Sequence, residues 1–322
     1  MQAVLIGMKS AFWERDWLQF LLDPIEIEPV EVDACQFTEP GIVLLADWDG
    51  RHAAVVRQVL REFAAHGTPV CLVHLSDEYL ASPIDFYPLA SVVFRNYYRH
   101  AASRQPNVLH IPLGYKSGFV DGLAPRAIGD RQHRWFFAGE IKCSRRQMLA
   151  AAEQIPGGRA VITTRWKDPN GLSTADYAAA LANTVFAPCP RGNDSVDCFR
   201  VYEALEAGAI PIVEDDGRFD APLRLMHVPL AVRTPVRPRS RWSVRLRSRF
   251  GPSYWLALYG AKFPLPRIHR WEELPGLVAQ ANAEELAKAA GAWWQELKRR
   301  TREQVARRMG QLQQTPAAVE MR

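Results

Sequence analysis

The chain has 322 residues, 48% of them hydrophobic, which is enough for two α/β domains with a core each. Its formal charge of +5 suits an anionic partner without choosing among a nucleotide diphosphate, an anionic lipid surface and a nucleic acid. Five cysteines without a CxxC spacing argue against a disulfide framework or a zinc site. No apolar stretch reaches membrane-span length and the N-terminal apolar run is too short for a signal sequence, so a soluble, cytoplasmic protein is expected.

Residues 3–7 read as a short buried strand, after which Phe12, Trp13, Trp17, Phe20 and Leu21 recur at helical spacing. The apolar run 42–46 is a second strand, broken by Asp47-Trp48-Asp49-Gly50 and followed by an amphipathic stretch over 51–66. Further strands are expected at 69–75, 92–95 and 108–113. Alternation of this kind implies a parallel sheet, and the polar linker 121–131 puts the end of a first domain near residue 130. The pattern then starts again, with a strand at 135–139, a helix over 144–154, a strand at 160–164, a helix over 177–183 and a strand at 185–188.

The run 189–213, CPRGNDSVDCFRVYEALEAGAIPIV, is the most informative in the chain. A polar loop over 190–197 leads into helical spacing at Phe199, Tyr202, Leu205 and Glu206, with Asp197 as the expected N-cap and Gly208 where the helix stops. A strand restarts at 210–213, and residues 274–309 read as one long helix. Arg191, Asn193, Ser195 and several backbone N–H groups thus lie at a helix N-terminus, a ready site for phosphate, with Glu203 within reach of a sugar hydroxyl. Lys142 and Arg145 follow another strand of the same sheet, so both sets of cations emerge on one C-terminal strand edge, where ligands bind. The plainer reading pairs Glu203 with Arg200 at i, i+3 and lets Lys142 and Arg145 solvate a helix start.

In the first domain, Asp77 and Glu78 follow the strand at 69–75 and are the carboxylates best placed to serve as a general base. Ser76-Asp77-Glu78 reads equally as a capped helix start with acidic residues favoured by the dipole. No metal cluster stands out, and the DxD-like Asp47-Trp48-Asp49 is read as chance. The stretch 233–249, RTPVRPRSRWSVRLRSR, carries seven arginines and Trp242 and is expected to be exposed, near the cleft or against an anionic membrane.

Pro190, Arg191, Gly192, Cys198, Phe199, Arg200, Glu203, Ala204, Leu205, Gly208 and Pro211 together form a motif that resembles the nucleotide-sugar-binding half of GT-B glycosyltransferases. The resemblance is to the exostosin-like group (glycosyltransferase family 47) and the related ribitol xylosyltransferases. It extends more weakly to Phe137-Ala138-Gly139 with Lys142 and Arg145, to His74-Leu75-Ser76-Asp77-Glu78 and to Ile111-Pro112-Leu113-Gly114-Tyr115, spanning about residues 70–215.

The resemblance implies an α/β, GT-B-like fold of two Rossmann-like domains with parallel sheets facing a cleft and a C-terminal helix crossing back. Residues 1–130 would be the acceptor side, 131–275 the nucleotide-sugar side and 276–322 a helical segment and tail. It implies a glycosyltransferase of polysaccharide biosynthesis that moves a sugar from a nucleotide diphosphate, UDP-linked, to a glycan or lipid-linked glycan, with inversion and no cofactor or metal. Lys142, Arg145, Arg191, Asn193, Ser195 and Arg200 would surround the donor's diphosphate, Glu203 would hold its ribose hydroxyls, and Asp77 or Glu78 would be the base. The competing reading is a non-catalytic Rossmann-like module that holds nucleic acid or another polyanion. It needs a continuous basic face rather than cations gathered at strand ends beside Glu203, so no nucleic-acid partner is expected.

Overall fold

The computed structural model describes residues 1–7, 13–165, 168–215 and 253–314. The first sheet contains β1 (Gln2–Ile6), β2 (Glu28–Val30), β3 (Gly41–Ala46), β4 (Val70–Leu75), β5 (Val92–Arg95) and β6 (Val108–His110). They lie in the order β2-β1-β3-β4-β5-β6, every pair parallel. The second sheet contains β7 (His133–Glu140), β8 (Arg159–Thr163), β9 (Thr184–Cys189), β10 (Ile210–Glu214) and β11 (Arg267–Ile268), in the order β11-β10-β9-β7-β8, again all parallel. Strands β4 and β9 are buried at every position, which is why they read as unbroken apolar runs.

Helices α1 (Arg15–Leu22), α2 (Ala53–Ala65) and α3 (His100–Ser103) connect the first sheet. Helices α4 (Arg145–Ala152), α5 (Thr174–Ala182) and α6 (Phe199–Glu206) connect the second. The short α7 (Tyr254–Tyr259), α8 (Leu274–Gln280) and the 32-residue α9 (Ala283–Gln314) follow. Helix α2 covers one face of the first sheet, with Val56, Val59, Leu60 and Phe63 packed on Val4, Val43 and Leu45. On one face of the second, Met148 and Ala151 of α4 join Trp271 and Val278 over Trp135, Phe137 and Ile210. The remaining faces share one core that runs from Trp17 and Val73 through Phe136 and Tyr202 to Trp294 and Met309 of α9. This is the GT-B-like architecture, with two Rossmann-like sheets and a last helix returning to both. Among the described residues, no helix is long and apolar enough to cross a membrane.

Four local differences from the sequence pattern have physical causes. Strand β2 escapes notice because it is three residues long, largely exposed and contains Pro29, as edge strands do. The strand expected over 108–113 ends at His110, and the carbonyl of Pro112 accepts a hydrogen bond from Trp17 Nε1 at 2.9 Å instead. The helix expected over 274–309 is broken at Asn282, whose Oδ1 accepts from Glu285 N at 3.3 Å and whose carbonyl accepts from Leu286 N, an N-cap that starts α9 afresh. The N-cap of α6 is Cys198 rather than Asp197. The basic stretch 233–249 lies outside the described residues.

In each sheet the strand order reverses once, at β1/β3 and at β7/β9. The crevice outside the strand ends at such a point is where open α/β sheets bind ligands. The loops after β7 and β9 carry Lys142, Arg145 and 190–197, and the segment after β1 carries Glu14.

Candidate active site

At the β7/β9 reversal two guanidinium groups meet over a glycine. A Cβ on Gly139 would lie 3.3 Å from Arg200 Nη2 and 3.8 Å from Arg145 Nη1, and the backbone there has φ +146°, a conformation that side chains avoid. Arg200 stacks on Phe137 at 4.8 Å and donates to the carbonyl of Ala138 at 3.0 Å. Arg145 is buried and donates to the carbonyls of Arg191 and Glu140. Burial first, and Arg200 second, push its pKa below the ordinary arginine value. Bringing like charges together under cover costs free energy, and an anion seated between them removes that cost.

Glu203, the third residue after Arg200 on α6, is 6% exposed. Its Oε1 accepts from the backbone N–H of Lys116 at 3.3 Å, and burial raises its pKa against the pull of Arg200. The carboxyl group therefore sits one helical turn from Arg200, where the Lys116 backbone of the first domain reaches it.

The other expected phosphate ligands are engaged within the protein. Arg191 turns its side chain inward onto Glu214, Nε donating at 2.9 Å and Nη2 closer still. Against the cost of burial, Arg191 holds the Glu214 carboxyl below its ordinary value. Lys142 Nζ donates to Asn193 Oδ1 at 2.7 Å. Ser195 shapes the loop, its carbonyl accepting from Gly192 N and its Oγ from Asp197 N. These residues build the loop; Arg145 and Arg200 give it charge.

Glu78 crosses from the first domain to this loop. Its Oε1 accepts from Asn193 N at 2.5 Å and from Asp194 N at 3.1 Å, and its Oε2 from Asn193 Nδ2 at 2.8 Å. The carboxylate thus occupies a nest of N–H groups of the kind that binds anions and ties the domains together. Asp77, expected as a base beside it, is corrected: it is 1% exposed and Oδ2 pairs with Arg95 Nη2 at 2.6 Å. Its Oδ1 accepts from Ala81 N at 2.8 Å and Ser82 N at 3.1 Å, so Asp77 shapes the loop that presents Glu78. Asp47 and Asp49 are likewise held locally, by Gly50 N and by Arg51.

Two further carboxyl groups at the domain junction, Asp197 and Glu14, are not among the expected site residues. Asp197 faces inward, where its Oδ2 accepts from Tyr254 Oη at 2.9 Å, and Tyr254 Oη in turn accepts from Tyr98 N at 3.0 Å. Burial, offset only in part by hydrogen bonds from Tyr202 and Tyr254, pushes Asp197 up from 3.8 to about 7. Between those values the folded state keeps a proton that the unfolded chain has lost, so stability falls as pH rises toward 7. Asp197→Asn removes this contribution. The drop in Tm between about pH 5 and about pH 8 should be smaller in the variant than in the parent, and an equal drop would show that Asp197 is not the group involved.

The second is Glu14, 2% exposed, just before α1. Its neighbours include Ser76 and Asn96, which end adjacent strands β4 and β5, and Tyr97. Ser76 (φ 68°) and Tyr97 (φ 52°) both hold left-handed backbone. Such conformations cost non-glycine residues about 1–3 kcal/mol each and gather at functional sites.

Residues 130–228 match the family model described as the RXYLT1 C-terminal domain. The matched span runs from before β7 past β10 and contains Lys142, Arg145, Arg191, Arg200 and Glu203. The match supports a relation of these residues to the ribitol xylosyltransferases and suggests a glycosyltransferase-related function for that span. No curated protein matches the chain.

Proposed function

We propose that the protein is an inverting glycosyltransferase that moves a sugar from a UDP-linked donor to a sugar acceptor, without a metal. The observation that carries this reading is the meeting of Arg145 and Arg200 over Gly139, with Glu203 on the same helix as Arg200. Breaking the bond between sugar and diphosphate puts negative charge on the leaving group, and two fixed guanidinium groups in a covered site stabilise it. Glu203, acceptor-only when ionised, takes hydrogen bonds from the ribose hydroxyls. Residues 131–275 hold the donor in this reading, and 1–130 the acceptor.

The acceptor side offers a surface for sugar. Trp48 after β3 is 47% exposed and Tyr79, beside Glu78, is 45% exposed, their ring centroids 6.2 Å apart. Arg51 lies over the Trp48 ring at 5.1 Å and is paired with Asp49. Aromatic faces take the apolar face of a sugar ring while the neighbouring ion pair offers hydrogen bonds to its hydroxyls. The basic run 233–249 is our candidate for holding an anionic carrier of that acceptor at a cytoplasmic membrane face.

Titration calorimetry with UDP tests the donor site. The parent should bind UDP, and Glu203→Gln should weaken binding by about 10- to 100-fold, the range of a hydrogen bond to a charged group, with little change in Tm. A parent that binds UDP no better than a buffer blank would remove the enzyme reading. Unchanged affinity in the variant would remove Glu203 from the site.

A further inference from the structure

The Glu14 carboxyl group is engaged only by uncharged hydrogen-bond donors. It stands at the N-cap position of α1, yet its side chain makes no capping bond; the cap is made by its carbonyl, accepting from Leu18 N at 2.8 Å. The carboxyl group is almost fully covered, and the hydrogen bond it receives from Asn96 Nδ2 is long, at 3.5 Å. No arginine or lysine is among the groups that act on its charge; its own backbone N–H, Asn96 and Ser76 are. A buried carboxyl group with hydrogen bonds but no counter-charge is costly to keep ionised.

Its position is that of a reacting group. It follows β1, at the point where the order of the first sheet reverses, and the equivalent point of the second sheet carries the paired arginines. On one side, the preceding residue's carbonyl, that of Trp13, accepts from Ser117 N at 2.7 Å, and the adjacent Lys116 N–H reaches Glu203. On the other, the charges of Glu78, Asp197 and Glu14, from both domains, all act on Tyr97. Of the first-domain carboxyl groups there, Asp77 is closed by Arg95 and Glu78 is held by the donor loop. Glu14 is the third.

We propose that Glu14 is the general base of the transfer, taking the proton of the attacking acceptor hydroxyl. This rests on the glycosyltransferase reading. The acceptor oxygen forms its bond to the anomeric carbon of the donor sugar as the bond from that carbon to the diphosphate breaks. The electron pair leaves with the diphosphate, facing Arg145 and Arg200, and the hydroxyl proton goes to the Glu14 carboxylate and then to water. Burial pushes Glu14 up from 4.5 to about 7, against hydrogen bonds from its own backbone, Asn96 and Ser76. A base with that value matches proton transfer at neutral pH.

The test measures UDP release from UDP-xylose with a methyl xyloside as acceptor, beside UDP affinity by calorimetry. Turnover by the parent should rise with pH through about 7. Glu14→Gln should lower kcat by about 10²- to 10⁴-fold, leave UDP affinity unchanged and abolish the rise with pH. Glu14→Asp should keep part of the activity with a shifted pH limb, and it carries the same test if the glutamine variant does not fold. A Glu14→Gln enzyme with the parent's kcat, or a slowed one with the parent's pH limb intact, overturns the assignment and leaves the glycosyltransferase reading standing. A parent that neither binds UDP nor releases it from UDP-xylose refutes that reading, and the base falls with it.

Discussion

Asp77→Ala is expected to destabilise the protein by about 3–5 kcal/mol, because it strands a buried guanidinium. Arg95 is fully buried, and its partners are Asp77, the Tyr87 hydroxyl at 2.8 Å and the Tyr97 carbonyl at 3.1 Å. Nearby His74 supplies no counter-charge: burial first, and Arg95 next, push its pKa well below the ordinary value. The substitution also frees Ala81 N and Ser82 N, which now donate to Asp77. Removing both charges should cost less than removing one, so Asp77→Ala combined with Arg95→Leu should recover part of the loss. Urea unfolding reads both results in the midpoint. A loss below about 1 kcal/mol, or a double variant as unstable as the sum of the single ones, would show that the pair is not a coupled buried ion pair. The same single variant separates structure from chemistry: well below its Tm it should keep most of the parent's turnover, which a missing base could not.

Much of the fold could be read because parallel strands covered on both faces are written as apolar runs. Strands β3, β4, β9 and β10 are of that kind, each buried at nearly every position. The neighbourhood proposed for the donor was legible for a related reason. Gly139, Arg145, Arg200 and Glu203 are placed by strand ends and by one helix, so local spacing fixes their neighbourhood. What spacing cannot supply is the meeting of segments far apart in the chain. Arg191 looks like a phosphate ligand until Glu214, from the end of the next strand, is brought against it. Glu78 looks like a helix-start acid until the second domain brings the Asn193 and Asp194 N–H groups to it. Glu14 reads as an ordinary acidic residue before a helix, and only the ends of β4 and β5 show it to be buried. The one sequence signal that could have found it is its place between the first strand and the first helix of the first domain.

Trp294→Ala should remove the clasp that makes the two halves one molecule. The side chain is fully buried, stacked on Trp17 of α1 at 5.6 Å and 24° and packed on Tyr202 of α6 at 5.4 Å. Trp17 is itself fixed from the other side, since a Cβ on Gly114 would come within 2.4 Å of its ring and its Nε1 donates to Pro112. Lys298, one turn along α9, covers the Trp294 ring at 5.6 Å and pairs with Glu206 at 2.9 Å. Truncating a buried tryptophan costs about 3–5 kcal/mol through lost transfer energy and the cavity left behind. In a chain of this size that corresponds to a fall in Tm of roughly 4–7 °C. Because Tyr202 immediately precedes Glu203, the loss should reach the donor site as well, appearing as weaker UDP binding and as faster proteolysis between β6 and β7. Trp294→Phe keeps a ring between Trp17 and Tyr202 and should restore most of both. Should Trp294→Ala melt within about a degree of the parent, α9 would be an ornament on the second domain rather than the element that joins it to the first.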